Sequence, residues 1–199
     1  MVGVSLHFGP IATLPYWLRA HGIVLTSVRT PAIDYLQGLT NYQFSLSPPD
    51  VPVFLSTSEI GSRPRSSIRK ILGPAGRLGL LVDVDRGKQF YVRFEDHLFR
   101  MASGPIRLAQ MLNADLVPVL IVETSTWKYT IHFGSPVPQH YLDSPPDMQA
   151  IGTHLLQEFS KVITRYPEQC NMRLLRAMCP LPENGVADLS AVVQAAENP

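Results

Sequence analysis

The chain is poor in the signals that announce an activity. Its 199 residues include two cysteines, Cys170 and Cys179. They lie within "QCNMRLLRAMC", a spacing that fits neither a zinc pair nor a redox CxxC. Both are expected as buried structural thiols, because a free cysteine packs like a small hydrophobe. His21, His97, His132, His140 and His154 have no partner at metal-ligand spacing, so they read as structural or surface residues and no metal site is expected. No glycine-rich phosphate loop of the GxGxxG or GxxxxGK[ST] type is present, which leaves nucleotide binding without support. The GxSxG nucleophile elbow is missing too, which weakens any α/β-hydrolase reading. Apolar runs are broken well short of the roughly 18 residues that a membrane span needs. No cationic stretch leads into an apolar one at the N-terminus, so no export signal is read and a cytoplasmic protein is expected. A net charge of +1 gives no electrostatic footprint for nucleic acid. Self-similarity at a period of about 20 to 50 residues is absent, which excludes a solenoid.

What is present is globular. The composition is 45% apolar and 17% charged, and the length suits one domain with a real core. We place that domain at residues 1–179 and a weakly held tail at 180–199. "VGVSL" (2–6) is an apolar run ending at His7 and reads as a buried strand. "ATLPYWLRAHG" (12–22) has helical spacing, with Gly22 where a C-cap would sit. "IVLTSV" (23–28) is β-branched and reads as the second strand. "PAIDYLQGL" (31–39) reads as a short helix opened by Pro31. The prolines of "SLSPPDVPVF" make residues 40–56 a loop that leads into a short extended piece. "RSSIRKILGPAG" reads as a helix that Gly73-Pro74 ends. Strands are expected over 77–84, 88–94, 116–123 and 128–133. Helices are expected over 103–114, with Ser103 as N-cap, and over 147–166, with an apolar stripe through Ile151, Leu155, Leu156, Phe159 and Ile163. Strands alternating with helices imply the α/β class, with a mixed, mostly parallel central sheet flanked by helices.

In open α/β sheets, ligands sit beyond the carboxyl ends of the strands. His7 follows the first strand and Asp83 follows "LGLLV", so both are candidate site residues. The arginines and lysine of "GSRPRSSIRK" (Arg63, Arg65, Arg69, Lys70) suit either an anion at a helix start or a solvated face.

The order of these pieces resembles the lysophospholipid acyltransferase superfamily, in its branch of lipid A biosynthesis lauroyl and myristoyl acyltransferases. "LHFGPIATLPYWLRAHGIVLTSVRTPAIDYLQ" is similar to that branch's first block, which carries an HxxxxD/E motif. "LGLLVDVDRG" is similar to its strand ending in Asp. "VRFEDHLFRMASGPIRLAQMLNADLVPVLI" is similar to its "F-G-x-P…T-G-x-x-x-L-A…P" block. "IHFGSPVP" and "YPEQCNMRLLRAM" are similar to its C-terminal region. The likeness covers roughly residues 2–178 and implies a lysophospholipid acyltransferase-like fold.

Carried over residue by residue, the resemblance implies that His7 is the catalytic base and Asp83 the acid of the later strand end. Gly9, Arg29, Asp85, Ser103 and Gly104 join them as candidate substrate-binding residues. It implies no resident cofactor, with an acyl-CoA or acyl-carrier-protein thioester as donor, and hence a carrier protein as partner. Ala12, however, stands where the motif has its carboxylate. That carboxylate orients the imidazole, and in the protease triad its neutralisation costs roughly 10⁴-fold in kcat. Asp83 and Asp85 are the nearest substitutes. No arginine stands near Asn41, where the family places one, and "QCNMRLLR" lacks the tryptophans and histidine of the family pattern. The family also has a membrane-anchoring segment ahead of the first strand. The surface left open here is expected to meet a partner subunit or a second copy, since exposed apolar surface marks interfaces.

Three functions follow as expectations. The first is a divergent acyltransferase acting on a hydroxyl or amine of a small-molecule or carrier-bound acceptor. The second is a different displacement on a carrier-bound substrate. The third is a degenerate subunit of a hetero-oligomeric complex in small-molecule biosynthesis.

Overall fold

A computed structural model describes residues 1–29, 54–56, 68, 76–85 and 87–180. The expected helices at 31–39 and 65–76, the basic cluster, Asn41 and the tail from 181 lie outside these residues, except that Ile68 is helical and buried.

The chain runs through β1 (Val2–Ser5), α1 (Leu14–Ala20), β2 (Thr26–Arg29), β3 (Phe54–Ser56), β4 (Leu78–Leu81), β5 (Gln89–Phe94) and β6 (His97–Ala102). It continues through α2 (Gly104–Leu112), β7 (Leu116–Ser125), β8 (Lys128–Phe133), α3 (Met148–Ile163), α4 (Met172–Ala177) and β9 (Met178–Pro180). Six strands form one sheet in the order β3-β2-β4-β1-β7-β8. Five of them are parallel, and β8 turns back antiparallel to β7. A smaller antiparallel sheet, β5-β6-β9, stands apart. The class is therefore α/β with a mostly parallel mixed sheet.

Alternation along the central strands makes the two faces. Val2, Val4, Leu6 and Phe8 are all fully buried and join Leu116, Leu120 and Val122 in one core. That face takes α2 through Ile106, Ala109 and Leu112 and α3 through Ile151, Leu155, Leu156 and Phe159. Val117, Val119 and Ile121 point the other way and meet Leu14 and Leu18 of α1. Each such side chain contributes roughly 1.5–3 kcal/mol when fully buried.

Several boundaries differ from expectation. Residues 11–13 form a 3-10 turn, and α1 starts only at Leu14, with Pro15 in its first turn. Residues 23–25 are not strand, and β2 begins at Thr26. Helix α3 is capped by Asp147, which accepts from the Ala150 N–H at 2.9 Å, and it ends at Ile163 rather than 166. Pro167 keeps Tyr166 out of helical geometry, since the residue before a proline avoids it. Ser103 occupies the N-cap position of α2 but makes no side-chain cap. Its hydroxyl donates instead to the Lys88 carbonyl at 3.0 Å. Strands β6 and β9 and helix α4 were not anticipated.

Candidate active site

The register of two parallel neighbours builds the site. Ser5 of β1 is paired with Leu81 of β4, so two residues further on His7 stands opposite Asp83. The chain beyond both strands stays tied, with the Val82 N–H donating to the Ser5 carbonyl at 2.9 Å. His7 Nδ1 then lies 3.0 Å from Asp83 Oδ1, and the His7 backbone N–H donates to Asp83 Oδ2 at 2.8 Å. The Asp83 side chain is completely buried, whereas 13% of the His7 side chain is exposed. An ionised carboxylate only accepts, so Nδ1 carries the proton and Nε2 presents its lone pair outward. Gripping ring and backbone together, the carboxylate holds the imidazole in one tautomer and one orientation.

Arg173 meets the other side of the ring, with Nη1 3.3 Å from His7 Nε2. A guanidinium only donates, so this contact calls for the same tautomer. The segment that carries it is fastened to the same end of the sheet. Gln169 exchanges two hydrogen bonds with the Glu123 backbone, at 3.0 and 2.9 Å. The Gly9 N–H donates to the Gln169 carbonyl at 2.9 Å, and Phe8 bridges Cys170. Asn171 then caps α4, accepting from the Arg173 and Leu174 N–H groups at 2.9 and 3.2 Å. Leu174 and Ala177 anchor the helix in the core, which leaves Arg173 on its outer side.

The other candidates are placed as follows. Ala12 lies exposed in the 3-10 turn, and the ring's acid is Asp83. Asp85 is exposed two residues beyond it. Gly9 has φ +54, and a Cβ there would sit 2.2 Å from the Ile121 carbonyl oxygen. Its glycine is thus required by the backbone itself. The Ala102 N–H donates to the Val82 carbonyl at 2.7 Å, which brings Ser103 and Gly104 to the Asp83 end. The Ser103 hydroxyl is spent on Lys88, while Gly104 is exposed with open space before it. Arg29 closes β2 at the level of Leu81, by the register of β2 on β4. Cys170 is half-buried rather than fully so, and burial, then the charge of Glu168, pushes its thiol pKa up. Residue Arg173 was missed. Its only signal is "NMRLLRA", an Asn cap followed by apolar residues three apart.

A cleft lies elsewhere, between β8 and α3, lined by His132, Phe133, Glu158, Lys161, Arg165 and Tyr166 among others. It includes none of His7, Asp83 or Arg173. Among the described residues, no group of three or more His, Cys, Asp or Glu side chains could hold a metal ion. No helix among them is long and apolar enough to cross a membrane. No family model matches the chain, and no curated protein matches it.

Proposed function

We propose that this protein is an acyltransferase-like enzyme in which His7 is the general base and Asp83 the acid that orients it. The carrying observation is the double grip of Asp83 on His7, at 3.0 Å to the ring and 2.8 Å to the backbone. Nε2 takes the proton from an acceptor hydroxyl or amine, and the freed oxygen or nitrogen attacks the carbonyl carbon of an acyl thioester. The tetrahedral oxyanion collapses, the C–S bond breaks, and the departing thiolate takes the proton back from Nε2–H. Asp83 stabilises the imidazolium formed between these two transfers. A base so placed contributes about 10²- to 10⁴-fold. The sequence resemblance supports the thioester donor (acyl-CoA or acyl-carrier protein) and the lysophospholipid acyltransferase-like fold. Here the acid comes from the neighbouring strand end rather than from position 12. The test is to offer both donors to the protein with a panel of alcohols and amines, and to follow thiol release and acyl product. Transfer by wild type, reduced at least about 100-fold in His7→Ala, supports the reading. No transfer by either protein overturns it.

A second reading, a subunit repurposed to support a catalytic partner, is favoured by a different observation. Met172 (64% exposed), Leu175 (47%) and Met178 (39%) lie on α4 and β9, beside the Arg173 side of the site. Native mass spectrometry of the protein co-expressed with its genomic neighbours separates the two. If only single chains are found, this alternative fails.

A further inference from the structure

We propose that Arg173 is the anion-holding residue of the site, and that its hydrogen bond to His7 and proton uptake at Nε2 exclude each other, so that Arg173 acts only off the ring. The inference rests on the reading of His7 as a base. With Asp83 holding Nδ1–H, a neutral His7 offers Nε2 as an acceptor, and the Arg173 guanidinium donates to it across 3.3 Å. Once Nε2 is protonated, both groups are cationic donors and that hydrogen bond cannot exist. Because Nε2 has a single lone pair, Arg173 must leave the ring before an acceptor's proton can reach it.

In acyl transfer, the proton reaches Nε2 as the acceptor attacks and the carbonyl oxygen becomes an oxyanion. Among the described residues, the displaced guanidinium is then a cation at hand beside the ring. Arg173 is exposed, and among the described residues no carboxylate lies within ion-pair distance of it. Asp83 already has both oxygens on His7. Among the described residues, the charged groups within hydrogen-bond reach of the ring are thus Asp83, after β4, and Arg173, on α4. The clamp of residues 169 and 170 on Phe8, Gly9 and Glu123 keeps Arg173 over this spot, and among the described residues its side chain is fixed to no acid. Donor groups aimed at a developing oxyanion are worth about 10²- to 10³-fold in kcat each. The site therefore suits reactions that build negative charge beside Nε2, and in the resting protein the same guanidinium should take a small oxyanion in exchange for Nε2.

Inorganic phosphate is the probe, added to the full chain with the side-chain nitrogens of His7 and Arg173 followed by NMR. Saturable movement of the His7 Nε2 and Arg173 resonances is expected, as phosphate draws the guanidinium off the ring. Arg173→Gln should bind phosphate at least about ten-fold more weakly, and Arg173→Lys should retain part of the effect. No saturable shift in wild type, or equal binding by a folded Arg173→Gln, overturns the proposal. With an acyl donor and acceptor, Arg173→Gln should lower kcat about 10²- to 10³-fold with KM less affected. An unchanged kcat also overturns it. Phosphate binding through Arg173 in a protein that transfers no acyl group would sink the acyltransferase reading while supporting the anion subsite.

Discussion

Two histidines of this fold have an arginine for a neighbour, and their surroundings could hardly differ more. His7 follows the central strand β1, with Arg173 3.3 Å from Nε2 and the buried Asp83 on Nδ1. His132 stands on the edge strand β8, near Arg165 and in the cleft above α3. Its Nε2 is buried without a hydrogen-bond partner. Glu158 lines the same cleft, but one oxygen pairs with Lys161 and the other accepts from the Ser135 N–H. Burial, and then the charge of Arg165, push the His132 pKa below its usual 6.5. A histidine beside a cation is fixed in one orientation when a carboxylate takes its other nitrogen. Without one, burial and the neighbouring arginine both work against its charged form.

The largest effect should come from breaking that distinction. Asp83→Asn keeps shape and size but lets the ring adopt the wrong tautomer, and kcat for acyl transfer should fall about 10⁴-fold. A loss of only a few-fold would make His7 no more a base than His132. Next comes the backbone under His7. Gly9→Ala should destabilise the protein by about 2–4 kcal/mol in urea unfolding, because strain at φ +54 is joined by a clash with the Ile121 carbonyl. Gly22→Ala, at φ +75 with nothing within 4 Å, should cost only about 1 kcal/mol. Equal losses at the two positions would mean that the clash relaxes freely.

His132 gives a smaller, pH-dependent effect. Its pKa is lower in the native state than in the unfolded chain, so on acidification the unfolded chain takes up the proton first. Stability should be level above about 6.5 on this account and fall as pH drops from there towards the lowered native value. His132→Phe should flatten that slope and raise stability by up to about 1 kcal/mol, since a buried nitrogen without a partner is removed. A slope unchanged in His132→Phe would assign it to other groups. Smallest is Lys161→Ala, which breaks a pair between a largely exposed lysine and the mostly covered Glu158 and should cost about 0.2–1 kcal/mol. It should also raise the His132 pKa, because Glu158 is left with uncompensated charge in the cleft. No movement of that titration would mean that Glu158 does not act on the ring.

The class of fold was legible because its signal is local. The apolar run of β1, the stripe of α3 and the ten-residue strand β7 each show their period within one segment. Element ends were less legible where local signals compete. Pro15 and the turn at 11–13 moved the start of α1, and Ser103 used its hydroxyl on Lys88 rather than as a cap. His7 and Asp83 could each be picked out as residues after apolar runs. That Asp83, rather than Asp85, takes the ring depends on the register of β1 on β4. Arg173 had no such cue, because 166 positions of chain separate it from the His7 it meets.

By itself, then, the sequence determined the alternation that divides the sheet into two buried faces and the Asp147 cap of α3. Each rests on contacts or backbone angles that a few neighbouring residues decide. Tertiary structure alone decided which acid meets His7, across 76 residues of chain, and brought Arg173 to it across 166. Such meetings depend on strand order, register and the docking of the 167–177 segment. These are set by the packing of the whole sheet, which no local periodicity encodes.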